Sequence, residues 1–171
     1  MSLLRSIFGE AKQRAPLEPL YRAIVARGRD PAWYRDGRVP DTIDGRFDMI
    51  AAILALVLLR LEAAVEAGRG PSVLLTEIFI DDMDGTLRQI GIGDYVVGKH
   101  VGRMMSALGG RLAAFRAARE QGSFGEAVAR NIFHAAAPSD AAVAFVAERL
   151  ERFAAALDDA RLEDLLAGDL P

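Results

Sequence analysis

Two glycine-punctuated stretches of this 171-residue chain gather the side chains that could do chemistry. The first is Val39-Pro40-Asp41-Thr42-Ile43-Asp44-Gly45-Arg46-Phe47-Asp48. The second is Asp81-Asp82-Met83-Asp84-Gly85-Thr86-Leu87-Arg88-Gln89-Ile90-Gly91-Ile92-Gly93-Asp94. Asp81, Asp82 and Asp84 could work as a general acid–base cluster, but nothing around them in sequence suggests a substrate pocket. Carboxylates and arginines set among apolar residues also suit a buried polar network or a surface that recognises another protein. The serines Ser72, Ser106, Ser123 and Ser139 lack an elbow motif or an evident histidine partner, so nucleophilic catalysis finds no support.

Cofactor and metal chemistry fare no better. Gly93-Asp94-Tyr95-Val96-Val97-Gly98-Lys99-His100 has the glycines and lysine of a phosphate loop, but His100 stands where a serine or threonine should hold magnesium. Such a loop also follows a strand in a parallel sheet, and no strand pattern precedes it. His100 and His134 are preceded three positions earlier by Val97 and Asn131, so neither completes a Glu-x-x-His di-iron pair. A calcium loop opening at Asp82 would need a closing glutamate where Gly93 stands. No cofactor and no metal is expected.

The elements that must position these residues read as helices almost throughout. Ser2 to Arg14 sets Leu3, Leu4, Ile7, Phe8 and Ala11 against Arg5, Lys12 and Arg14, a short amphipathic helix that can pack on the body or lie on an anionic membrane. Pro16 opens a second helix that stops at Gly28. Asp30-Pro31 caps a single turn carrying Trp33 and Tyr34. Asp41, Thr42 or Asp44 caps a long helix from about Arg46 to Ala67, ended by Gly68 and Gly70, with Pro71 opening the next. That helix, Ser72 to Gln89, contains Gly85, which costs about 1 kcal/mol relative to alanine and can mark a kink or a close helix contact. Asp94 caps a helix to about Glu120 with irregularity expected at Gly109-Gly110. A further helix ends near His134, Ser139-Asp140 opens another, and Arg161 to Ala167 is a short, fraying end. With no alternating run long enough for a sheet, the fold class is all-α: one compact domain of about six to eight helices over residues 1–171.

Composition fits that reading. Hydrophobic residues are 51% and charged residues 26%, enough to build a core and argue against disorder. Aromatics are only 7%, so the core rests on Ala, Leu, Ile and Val. The absence of cysteine rules out disulfide and thiolate chemistry and fits a reducing compartment. A net charge of −3 argues against a general nucleic-acid binder. Acids outnumber arginines from Ser139 onward, which suggests an acidic, solvated C-terminal helical tail over 139–171. The most apolar run, Ile50 to Leu59, is bounded by Asp48 and Arg60. It is far shorter than the roughly 20 residues of a membrane span, so it reads as a buried core helix.

Several residues carry two readings. Glu77, Asp81, Asp82 and Asp84 face Lys99, Arg103, Arg111, Arg116 and Arg119 on the next helix, which predicts ion pairs between antiparallel neighbours. Alternatively one arginine, especially Arg46 or Arg88, anchors a buried network that shapes a groove. Trp33 and Tyr34 are an interface anchor or a core plug. Met49, Met83, Met104 and Met105 line an adaptable groove or fill the core.

Taken in order, Trp33-Tyr34, Pro40-Asp41-Thr42, Asp44-Gly45-Arg46-Phe47, Asp82-Met83-Asp84, Leu87-Arg88, Gly91-Ile92-Gly93-Asp94, Val97-Gly98-Lys99 and Gly110-Arg111 resemble the ubiquinol–cytochrome c chaperone family. Gln89 departs from the glutamate that the family typically carries after its Leu-Arg pair. The resemblance implies an all-helical, non-enzymatic assembly chaperone. Its implied client is newly made cytochrome b, during biogenesis of the cytochrome bc1 complex, near the ribosome and a second assembly factor. It also implies a location in the cytoplasm or at the face of the inner membrane. The expected client surface is a groove around Arg46, Asp82 and Lys99. A peripheral membrane or scaffold protein that uses the N-terminal amphipathic helix, and an enzyme or lipid-ligand protein that uses the Asp81–Asp84 acids, are the alternatives.

Overall fold

The computed structural model describes residues 15–89, 94–136 and 138–171, and only the backbone of 86–89 and 94–101. A 3₁₀ turn, Ala15–Leu17, leads into α1 (Glu18–Gly28), followed by α2 (Pro31–Arg35), α3 (Ile43–Ala63), α4 (Glu66–Gln89), α5 (Asp94–Gln121), α6 (Gly125–Asn131), α7 (Asp140–Asp159) and α8 (Leu162–Ala167). Among the described residues the chain is all helix and turn, as its periodicity predicts.

The centre of the fold is α3. From Met49 to Val57 its residues are almost wholly shielded from water, which is what a helix apolar on every side requires. It is wrapped by α1, α4, α5 and α7. The wrapping is tight where α1 ends: a Cβ at Gly28 would stand 2.8 Å from the Ile50 Cα, so only glycine lets α1 and α3 approach this closely. Short polar side chains open the helices by accepting orphan amide protons. The Asp30 carboxylate accepts from Ala32 N at 2.9 Å, the Thr42 hydroxyl from Gly45 N at 3.1 Å and the Ser139 hydroxyl from Ala142 N at 3.2 Å.

Several boundaries differ from the sequence expectation. The break after α3 falls at Ala64 and Val65, where Val65 takes φ 51°, and not at Gly68-Gly70. Gly68, Gly70 and Pro71 lie inside α4. Gly68 serves packing: a Cβ there would sit 1.8 Å from the Leu61 carbonyl oxygen. α5 runs unbroken through Gly109 and Gly110, and a Cβ at Gly85, Gly109 or Gly110 would meet nothing within 4 Å among the described residues. Among the described residues, then, nothing approaches Gly85 closely and the irregularity expected at Gly109-Gly110 is absent.

The C-terminal segment from 139 to 171 is not a solvated tail. α7 buries Val146, Leu150, Phe153 and Leu157 in the common core. α8 folds back on α1 and the opening turn with Leu165 fully shielded. It is closed by Gly168 at φ 99°, whose absent side chain leaves room for Pro19. The acids of this segment occupy the outer face, and its apolar stripe overrides the net charge. Residues 1–14, including the amphipathic pattern, and Gly91-Ile92-Gly93 lie outside the described residues. Among those described, no helix is long and apolar enough to cross a membrane.

Candidate functional site

Asp48 is the one charged residue within the apolar body of α3, only 3% exposed, and it must be compensated where it stands. α5 supplies Arg111, 4% exposed, whose Nη2 donates to Asp48 Oδ1 and also to the Asn131 carbonyl at 2.9 Å. Its Nη1 donates to the Ala107 carbonyl at 3.1 Å. The second carboxylate oxygen, Oδ2, lies 2.7 Å from His134 Nε2. The guanidinium carbon stands 5.5 Å from the Phe47 ring centre, and Phe47 in turn packs on Phe79 at 5.9 Å. One salt-bridged centre thus ties together the first turns of α3, the middle of α5 and the end of α6 with the loop beyond it. His134 and Ala135 take φ 50° and 60° in that loop.

Burial dominates the electrostatics. It pushes the Asp48 carboxyl above the ordinary carboxylate range, against the pull of Arg111 and His134. It pushes Arg111 below the ordinary arginine value, against the pull of Asp48. Each group therefore depends on the other for its charge. Arg111 Nε is buried with no hydrogen-bond partner among the described residues.

Arg46, expected as a buried anchor, is exposed and pairs with Asp41 at 2.7 Å. The buried arginine is Arg111. The reason is register: Arg46 falls on the outer face of α3's first turn, whereas Asp48 and Met49 turn inward. Tyr34, Asp41 and Arg46 do come together, beside Arg29, Pro31 and Arg35, in a shallow cleft of about 540 Å³. Trp33 is a core plug whose indole donates to the Arg27 carbonyl at 2.7 Å. The Tyr34 hydroxyl donates to the Gly28 carbonyl at 2.7 Å. Thr42 is the cap described above and Asp44 is an exposed acid in the first turn.

Of the cations expected to form a charge seam between the two long helices, three pair with other elements. Asp82 is exposed on α4 and accepts from the Tyr21 hydroxyl at 2.7 Å, and burial together with this carboxylate raises the Tyr21 phenol above its ordinary value. Arg111, Arg116 and Arg119 pair with Asp48, Glu62 and Asp158, on α3 and α7. Asp84 is half-buried and Arg103 exposed, both engaged in polar interactions. Met49 and Met83 are core residues, Met104 is half-buried and Met105 is 40% exposed. The side chains of Arg88, Asp94 and Lys99 lie outside the described residues. No group of three or more metal-ligating side chains gathers among the described residues.

Sequence reasoning missed the roles of Asp48 and His134. A signal for the first was present: Asp48 is an acid on the inward register of a helix otherwise apolar to Leu59. His134 gave none, because only the loop's path brings it 86 positions back to Asp48.

The profile of a family described as ubiquinol-cytochrome C chaperone matches residues 35–170. The crystal structure of the Cbp3 homolog from Brucella abortus has a TM-score of 0.79 to this chain at 27% sequence identity, over 98% of this chain and 94% of that one. No curated protein matches the chain.

Proposed function

The chain belongs to the ubiquinol-cytochrome C chaperone family, and from that premise we propose that it is a non-enzymatic assembly factor that holds newly made cytochrome b during cytochrome bc1 biogenesis. The observation that carries this reading is a family match running from α2 to the C-terminal helix, on a fold shared end to end with a Cbp3 homolog. The chemistry of the chain is compatible with it. The buried Asp48–Arg111 pair, joined at the surface by the exposed His134, fixes how α3, α5 and the α6–α7 loop meet. A chaperone that makes and breaks no bonds needs such a rigid frame beneath its client-binding face. We place that face around the α2–α3 junction and α4, where Arg46, Asp41 and Asp82 reach the surface. A second assembly factor and the ribosome are the further partners of this reading.

The test is deletion of the gene followed by measurement of assembled bc1 complex and cytochrome b. Loss of both is expected, with recovery of cytochrome b in a pull-down on the tagged chain. Unchanged bc1 complex in the deletion strain overturns the proposal. The apolar stripe of Leu3, Leu4, Ile7 and Phe8 favours one further reading, a peripheral contact with lipid. Liposome binding that disappears when the first 15 residues are removed would support it.

A further inference from the structure

We propose that a second cleft, between α2 and α7, is a binding site for a phosphate group carried on a small organic substituent. The cleft has a volume of about 250 Å³, and its lining includes Arg27, Arg149, Arg152, Trp33, Phe153 and Ala156. Pro171 completes the lining. Three guanidiniums line it, Arg149 shared with the Asp30 carboxylate and Arg152 more distantly with Glu148, a set matched to an anion, and guanidinium forks match phosphate oxygens in pairs.

The arginines are held in place before any ligand arrives. Arg27 lies over the Phe153 ring, 5.3 Å from its centre, and Arg149 lies over the Trp33 ring at 4.5 Å. Both rings are buried, so each guanidinium closes over an aromatic face with its edge left to donate. Arg149 is further fixed by the Asp30 carboxylate, which also caps α2. Arg152 is the adaptable member: its side chain is 69% exposed and it lies only loosely, at 3.9 Å, from Glu148. Preorganised donors lower the ordering cost of capture. Size limits the ligand, because the cleft falls below the roughly 300 Å³ at which sites for drug-sized molecules begin. A phosphate monoester or a phospholipid headgroup fits that limit.

This inference stands apart from the choice of client, because no residue of the cleft belongs to the proposed client face. The test uses the full-length chain, with Arg27→Gln and Arg152→Gln, which keep side-chain length and leave the Arg149–Asp30 pair intact. Calorimetric titration with inorganic phosphate and with glycerol 3-phosphate, at constant ionic strength, is run beside flotation on vesicles of phosphatidylcholine with and without phosphatidic acid. Far-ultraviolet circular dichroism verifies that each variant is folded. Expected is binding of the soluble phosphates that falls at least tenfold in each variant, as removal of a charge-assisted hydrogen bond requires. Binding only to phosphatidic acid vesicles, lost in both variants, assigns the same site to a lipid headgroup. Phosphate or vesicle binding that is absent, or that persists unchanged in both variants, overturns the proposal. So does vesicle binding that depends only on the first 15 residues.

Discussion

Asp48 and Arg111 show how a buried charge constrains its surroundings. Both side chains are about 5% exposed, so removing one strands the other in a medium that solvates it poorly. Arg111→Met is expected to cost about 3–5 kcal/mol in urea unfolding, and adding Asp48→Asn should recover most of that loss. Arg46→Ala, by contrast, breaks only an exposed pair with Asp41 and should leave the denaturation midpoint unchanged. The pH dependence follows from the raised pKa of Asp48. The unfolded chain titrates this group near the ordinary aspartate value of about 3.9, and the folded protein titrates it higher. Between those values the folded state binds more protons. The contribution of Asp48 is therefore complete below the ordinary value and declines as pH rises through the raised one. The stability of the wild type relative to Asp48→Asn should fall with rising pH across that window and then level off. A difference that grows with pH would contradict the assignment.

At the level of elements, helix spacing is set by the absence of side chains at chosen points. Gly28 brings α1 against the α3 backbone and Gly68 brings α4 against the end of α3. Gly28→Ala must push the two helices apart and should cost about 1–3 kcal/mol, measured by thermal or denaturant unfolding. Gly110→Ala is the control. It lies in an unbroken helix with open space at the Cβ, and it should stabilise the protein by up to about 1 kcal/mol. The same contrast shows which punctuation in the sequence was informative. Gly28 and the caps at Asp30, Thr42 and Ser139 mark real helix ends, because amide protons at a helix start need acceptors wherever the helix sits. Gly68, Gly70 and Pro71 looked like a stop, yet α4 runs through them, because contact with the end of α3 outweighs local propensity.

Across the whole molecule, the C-terminal segment closes the fold. α7 and α8 complete the shell around α3 and α1, and the last helix is anchored by Leu165. Leu165→Ala should destabilise the protein by about 2–5 kcal/mol, a loss that a solvated tail would not produce. The match to the chaperone family extends to residue 170, so this closing segment belongs to the shared architecture. Truncation after α7 is expected to lower the thermal midpoint and to weaken client capture together.

The sequence by itself determined the helical class, the buried character of the Ile50–Leu59 run, most helix starts and the family, because these depend on local period, capping chemistry and ordered motifs. Which charges meet was decided only by the tertiary structure. Asp48, Arg111 and His134 lie 63 and 86 positions apart along the chain, and no local pattern encodes a pairing made by helices crossing in space. The same holds for the acidic C-terminal segment: its charge is legible residue by residue, but its place in the core follows from the apolar faces of α1 and α3 that it helps to cover.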